Sequence, residues 1–135
     1  MSPRLHHVGL LVEDLDASLA AGLWTLHGAV VEDPVQRARL CLVSLGEAGD
    51  GDALVELVQP LGEDSRVWAA LQRGERQHHV CFQLDSRAAA DRLIETAHML
   101  PVTEWEPAVL FGGSPVRFAY TRSRELLEFY VDESA

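Results

Sequence analysis

One spacing constrains this chain more than any other property: two separate motifs each occur twice, at the same offset. His6-His7-Val8 recurs as His78-His79-Val80, and Leu54-Val55-Glu56-Leu57-Val58 is matched by Leu126-Leu127-Glu128-Phe129-Tyr130, each copy lying 72 residues after its counterpart. Each His pair also leads through an apolar stretch into an acidic, then alanine-bearing segment, Glu13-Asp14-Leu15-Asp16-Ala17 in one and Asp85-Ser86-Arg87-Ala88-Ala89 in the other. Such an echo is the signature of an architecture assembled from one unit used twice. With 135 residues the chain suits a single domain. The expected organisation over residues 1–135 is a first module at about 4–60, a linker helix at about 62–74 and a second module at about 76–132.

Both halves read in the same order. Residues 5–12 are patterned as a strand, and Asp14 or Asp16 is placed to cap a helix running to about His27, weakened by Gly22. Apolar runs follow at 29–31, 40–45 and 54–58, the last two joined by the glycine- and acid-rich stretch 46–52 as a hairpin connection. The second half offers a strand at 78–84, a helix capped by Ser86 and carrying Leu93, Ile94 and Ala97, and strands near 101–105, 115–120 and 126–131. Asp64-Ser65 to Leu71, closed by Gly74, reads as a short capped linker helix. The expected class is α+β, two β-α-β-β-β modules.

Charge and composition narrow the function. Eleven basic against 21 acidic residues give a net charge of −10, which repels phosphate backbones and argues against a nucleic-acid partner. No apolar run approaches the roughly 20 residues of a membrane span, and Met1-Ser2-Pro3-Arg4 leads straight into patterned sequence, so a cytoplasmic protein with no membrane partner is expected. Cys41 and Cys81 each sit inside an apolar stretch and read as small buried thiols.

The repeated residues carry the chemistry. Side chains alternate along a strand, so one imidazole of each His pair turns inward, and periodicity leaves open which one. A glutamate within an apolar strand, as at Glu56 and Glu128, must face water or meet a cation. Two histidines and two glutamates supplied symmetrically make a nitrogen and oxygen donor set for a divalent transition metal; the plainer alternative is a structural His–Glu pair in each half with no metal. His27 and His98 read as C-terminal helix residues favoured by the helix dipole, with no chemical role. The acidic stretch 47–52 lacks the ligand spacing of a calcium loop and reads as a solvated turn. Phe111-Gly112-Gly113-Ser114-Pro115 lacks the lysine of a phosphate cradle but offers backbone amides for ligand contact.

With these residues in place, the chain resembles the vicinal oxygen chelate superfamily, which includes glyoxalase I, extradiol dioxygenases, fosfomycin and bleomycin resistance proteins, and methylmalonyl-CoA epimerase. Leu5-His6-His7-Val8-Gly9, Val12-Glu13-Asp14-Leu15 and the stretch from Val55-Glu56-Leu57-Val58-Gln59-Pro60 through Gly74-Glu75 to His78-His79-Val80 are similar to the epimerase branch. The resemblance implies a U-shaped, mostly antiparallel sheet around one divalent metal ion (Co, Ni, Zn, Mn or Fe) held by His7, Glu56, His79 and Glu128, the second His of each pair being the ligand. It implies an isomerase or lyase of the glyoxalase or epimerase type that removes a proton α to the carbonyl of a small carbonyl or acyl-thioester substrate, with Glu128 or Glu56 as base. Arg37, Arg39 and Arg117 are the nearest cations to meet an anionic substrate, Arg117 and Arg39 foremost, with an exposed salt bridge as the plainer role for any one of them, and a homodimer is expected. Val35 and Leu40 stand where epimerases often carry carboxylates. The alternative is a non-catalytic drug- or metabolite-binding protein of the same fold. An extradiol dioxygenase, built on two histidines and one carboxylate, is disfavoured by the fourth ligand, Glu56.

Overall fold

Residues 2–133 are described in the computed structural model. They contain nine strands, three short α-helices and one 3-10 turn, an α+β fold. The chain divides into two compact units, His7–His78 and the remainder before and after it.

In the first, β1 (Arg4–Leu11), whose first three residues lie in the second unit, leads to α1 (Leu15–Ala20), β2 (Trp24–Asp33), β3 (Ala38–Leu45), β4 (Leu54–Pro60) and α2 (Trp68–Gln72). β2 is antiparallel to β3, β3 is antiparallel to β4, and β4 runs parallel to β1 through the pairs His7–Leu54 to Leu11–Val58. A parallel neighbour needs a crossover connection, and the chain between β1 and β4 supplies one. Asp14 caps α1 by accepting from the Ala17 amide at 3.1 Å. Leu15 is fully buried with Cys41, Val43 and Leu57, against Leu10, Val12 and Leu19, so α1 covers one face of this sheet.

α1 is shorter than the sequence suggests. It stops at Ala20; Gly22 follows in the left-handed region (φ 83°), and β2 begins at Trp24. Glycine is poor in a helix interior and well suited to ending one, which here frees Trp24, Thr25 and Val30-Val31 for the strand they prefer. His27 is therefore a strand residue, and its assignment to a helix C-terminus is corrected. The linker helix is likewise reduced to Trp68–Gln72 and has no side-chain cap, because Ser65 Oγ donates to the Gln36 carbonyl at 2.9 Å.

The second unit repeats the plan. β5 (Gln77–Leu84), whose first two residues lie in the first unit, is followed by α3 (Arg87–Thr96), β6 (Leu100–Pro101), β7 (Glu106–Pro107), the 3-10 turn Val109–Phe111, β8 (Pro115–Tyr120) and β9 (Leu126–Val131). β5 is parallel to β9, β9 antiparallel to β8, and β8 pairs with both β6 and β7. Ser86 caps α3 through the Ala89 amide at 3.0 Å, and His98 follows the helix with φ 55°. Leu84, Ala90, Ile94, Ala119 and Phe129 form the core beneath α3.

The strand expected near 101–105 is two short ladders instead, with Pro101 and Pro107 unable to donate. Between them Thr103 Oγ1 accepts from the Phe118 amide at 3.0 Å. Asp91 of α3 accepts from the Trp105 indole at 3.0 Å and from Arg117 Nη1 at 2.8 Å, while Arg117 Nε donates to the Thr103 carbonyl at 2.9 Å. Asp91→Ala leaves both donors without this acceptor and is expected to lower stability by about 1–2 kcal/mol, the modest figure reflecting a carboxylate partly open to water. Urea unfolding measures it, and Asp91→Asn should recover part of the loss; an unchanged midpoint for Asp91→Ala would remove this network from the account of the segment.

Neither cysteine is in a disulfide and both are fully buried, as their apolar settings suggest, and burial, followed by the charge of Glu56, pushes the Cys41 thiol up to about 11. No helix among the described residues is long and apolar enough to cross a membrane.

Candidate functional site

Strand register decides where the two glutamates point. On β4, Glu56 is the partner of Leu42 on one side and Gly9 on the other, and paired residues share a face. His7, two residues before Gly9, lies on that face too, which is opposite the face covered by α1. His7 Nε2 and Glu56 Oε1 are 3.6 Å apart, with the residues 0% and 5% exposed. In the second unit Glu128 of β9 is the partner of Cys81 and Phe118, placing it with His79. His79 Nε2 lies 3.2 Å from Glu128 Oε1, both residues are buried, and the imidazole stands edge-on to Phe118 at 5.4 Å. The second histidine of each pair therefore meets the repeated glutamate of its own unit. His6 instead packs as an aromatic, 5.0 Å from both Phe111 and Tyr130 in edge contacts.

Each pair suits metal ligation. Two donor atoms about 2.1 Å from one ion lie about 3.0–3.4 Å apart for right-angled to tetrahedral placement, close to the 3.6 and 3.2 Å found here. Imidazole nitrogen with carboxylate oxygen is a borderline donor set of the kind that first-row divalent ions take.

The family model of the glyoxalase/bleomycin resistance protein/dioxygenase superfamily matches residues 6–118. The chain belongs to this superfamily. An ethylmalonyl-CoA/methylmalonyl-CoA epimerase of Cereibacter sphaeroides is 31% identical over 128 residues, covering 90% of this chain and 91% of the relative. Human mitochondrial methylmalonyl-CoA epimerase is 30% identical over 125 residues, 88% of this chain and 67% of that protein. Among solved structures, a methylmalonyl-CoA epimerase in complex with methylmalonyl-CoA and NH4+ has a TM-score of 0.81 at 22% identity, with 99% of this chain and 97% of that one covered. A hypothetical protein from Bacillus halodurans gives a TM-score of 0.80 at 24% identity, covering 97% and 95%. The fold is thus that of the superfamily, and the named relatives are epimerases, which are isomerases.

Against this superfamily frame, the two arginines expected at a substrate are placed elsewhere. Arg39 is the partner of Gln59, on the α1 face of its sheet, and makes two contacts of 3.1 and 3.3 Å to Asp16. The guanidinium holds the Asp16 carboxyl below its ordinary range, and Asp16 in turn raises Arg39. Arg117 is the partner of Phe129, on the α3 face, and is engaged by Asp91 and Thr103. Alternation is the reason: Leu40 and Phe118, their immediate neighbours, share the glutamate faces, so neither guanidinium does. Arg39 and Arg117 are each held in an ion pair, the plainer role the sequence offered for them.

The glycine-rich loop is corrected as well. Gly112 and Gly113 take φ of 65° and 93°, and the amides of Gly112, Gly113 and Ser114 donate to the carbonyls of Val109, Ala108 and Phe111 at 3.2, 2.9 and 3.2 Å. Those amides close the loop on itself. Its ordered form seats Ser114 against Tyr130, whose phenol is pushed up mainly by burial and then by Asp132.

Val35, the first residue standing at an epimerase carboxylate position, has its amide donated to Asp33 Oδ1 at 2.8 Å within a tight turn. Leu40, the second, is 2% exposed on the Glu56 face, where it forms apolar wall.

Sequence reasoning missed one polar group on that face. His27 of β2 is the partner of Leu42, itself the partner of Glu56, and its Nε2 lies 2.7 Å from Ser44 Oγ. The run Trp24-Thr25, with an aromatic and a β-branched residue just after Gly22, was the available signal that a strand had begun.

Proposed function

We propose that this chain is a metal-dependent isomerase of the methylmalonyl-CoA epimerase type, in which His7, Glu56, His79 and Glu128 together hold one divalent ion, Co, Ni, Zn, Mn or Fe. The observation that carries the reading is the duplicated buried His–Glu pair, 3.6 Å in one unit and 3.2 Å in the other, on residues 72 apart in sequence. Epimerase relatives at 31% and 30% identity support the choice of an acyl-thioester substrate. A bound divalent ion supplies Lewis-acid stabilisation of the negative charge that develops on the substrate carbonyl oxygen.

The chain's own residues do the rest. Glu56 or Glu128 accepts the α proton at a carboxylate oxygen while the C–H electron pair moves toward the carbonyl, and return of a proton to the other face of the planar carbon inverts the centre. Burial of both pairs removes competing water and keeps the carboxylates in one orientation. Leu42, half-buried on the Glu56 face, offers apolar contact to an acyl chain. Leu23, Leu26 and Leu45, exposed at 59%, 43% and 65% at and beside the outer strand β2, support the homodimer expected from sequence.

The test is incubation of metal-loaded protein with one epimer of methylmalonyl-CoA in D2O, with elemental analysis of the same sample. About one ion per chain, deuterium at the α carbon and formation of the other epimer are expected. Metal retention without exchange of methylmalonyl-CoA or ethylmalonyl-CoA overturns the acyl-thioester assignment. Failure to retain any divalent ion overturns the enzyme reading in favour of a binding protein.

A further inference from the structure

We propose that His27 is a catalytic proton-transfer residue of the reaction above, exchanging the substrate's α proton at Nδ1, with Ser44 as its positioning residue; this rests on the epimerase reading. Three observations within the first unit carry it.

The first is placement. β2, β3 and β4 bring His27, Leu42 and Glu56 into one row on one face of the sheet, the face opposite α1. Strands about 4.8 Å apart put the His27 and Glu56 backbones about 10 Å from each other, with Leu42 between them on the same face. His27 is half-buried, so it is neither locked in the core nor free in solvent.

The second is the hydrogen-bond chain. Ser44 Oγ donates its only proton to the Gly46 carbonyl at 2.6 Å, so it must accept from His27 Nε2 at 2.7 Å. That fixes the neutral tautomer with the proton on Nε2 and a lone pair on Nδ1. The same hydrogen bond survives when Nδ1 is protonated, because Nε2–H donates in both states. Proton transfer at Nδ1 therefore requires no rearrangement of the imidazole or its support, which is the condition for an effective acid–base group.

The third is an irregularity. Between the pairs His27–Leu42 and Val31–Leu40 the β2 strand carries Gly28, Ala29 and Val30 opposite Cys41 alone, and Gly28 has φ 79°. The sheet is interrupted immediately after His27. Bulges of this kind re-aim a side chain and gather beside functional sites.

The chemistry balances. Inverting a carbon centre through a planar intermediate uses one proton acceptor and one donor on opposite faces. The α C–H bond breaks, its electrons pass into the carbonyl, and the proton goes either to a carboxylate, with imidazolium Nδ1–H returning one from the other face, or in the reverse sense. Solvent exchange then restores both groups. No oxidant, reductant or co-reactant is consumed.

Two measurements test this. In metal-free protein, 15N spectra of the His27 ring should show the Nε2–H tautomer with an unprotonated Nδ1, and Ser44→Ala should convert it to a tautomer mixture; an Nδ1–H tautomer in the unmodified chain overturns the proposal. In metal-loaded protein, His27→Gln, which can still donate to Ser44, should lower kcat for methylmalonyl-CoA epimerisation about 100-fold or more with KM changed less than about threefold. Ser44→Ala should lower it about tenfold, and Ser44→Thr should restore it. If the unmodified chain turns over and His27→Gln keeps its kcat, only the role of His27 falls. If the unmodified chain does not turn over methylmalonyl-CoA, the epimerase reading falls and this inference with it.

Discussion

Glu128→Ala and His79→Ala are each expected to take the bound divalent ion from about one per chain to near zero under loading that saturates the unmodified protein, with epimerisation lost in parallel. The size follows from sharing. A tightly held structural ion is worth about 10–16 kcal/mol, so each of the four proposed ligands would carry about 2.5–4 kcal/mol, or about 10²–10³-fold in affinity. His79 and Glu128 are 5% and 3% exposed, so water cannot easily take the place of the lost donor. His7→Ala and Glu56→Ala should behave alike, because duplication gives them the same strand positions. The competing possibility is a pair that only holds the strands together. Removing one member of such a pair would cost about 3–5 kcal/mol of stability with no change in metal content. Elemental analysis paired with urea unfolding of metal-free samples separates the two: equal metal content in variant and unmodified protein would end the ligand assignment.

The largest loss of stability is expected from Phe129→Ala. Phe129 is 1% exposed and stands beneath α3 among Leu84, Ala90, Ile94 and Ala119. Truncating a phenylalanine in such a site removes its transfer free energy and leaves a cavity that the neighbours only partly fill, together about 3–5 kcal/mol. Folded domains are stable by about 5–15 kcal/mol, so the variant stands close to unfolding. Leu93→Ala, on α3 but 38% exposed, should change stability by no more than about 1 kcal/mol and serves as the control. A Phe129→Ala loss as small as the control's would mean that α3 does not pack on its sheet as described.

Much of the molecule was legible from residues alone. The 72-residue offset announced two halves, and the glutamates inside apolar strands marked the positions that need a partner. Asp14 and Ser86 were readable as caps because capping is local, one side chain and an amide three residues on. The buried character of Cys41 and Cys81 was readable for the same reason: a thiol between apolar neighbours in a strand has few other places to go.

What failed in the sequence reading depended on partners far along the chain. The end of α1 was missed because helix propensity past Ala20 had to be weighed against pairing of Trp24–Asp33 with β3, which only the folded sheet provides. Charge alone left Arg39 and Arg117 between a substrate and a salt bridge; register put Leu42 and Phe118 beside the glutamates and so turned both arginines toward the helices, where each meets an aspartate. The Gly112-Gly113-Ser114 amides looked available until the loop closed on its own carbonyls. His27 gained its place on the Glu56 face in the same way, through Leu42 and Ser44. Sequence by itself determined the repeat, the caps and the residue types of the two His–Glu pairs, because these rest on composition and on contacts within a few residues. Tertiary structure alone decided which side chains share a face, because a shift of one residue in strand pairing exchanges the two faces, and that pairing is set by packing between distant segments.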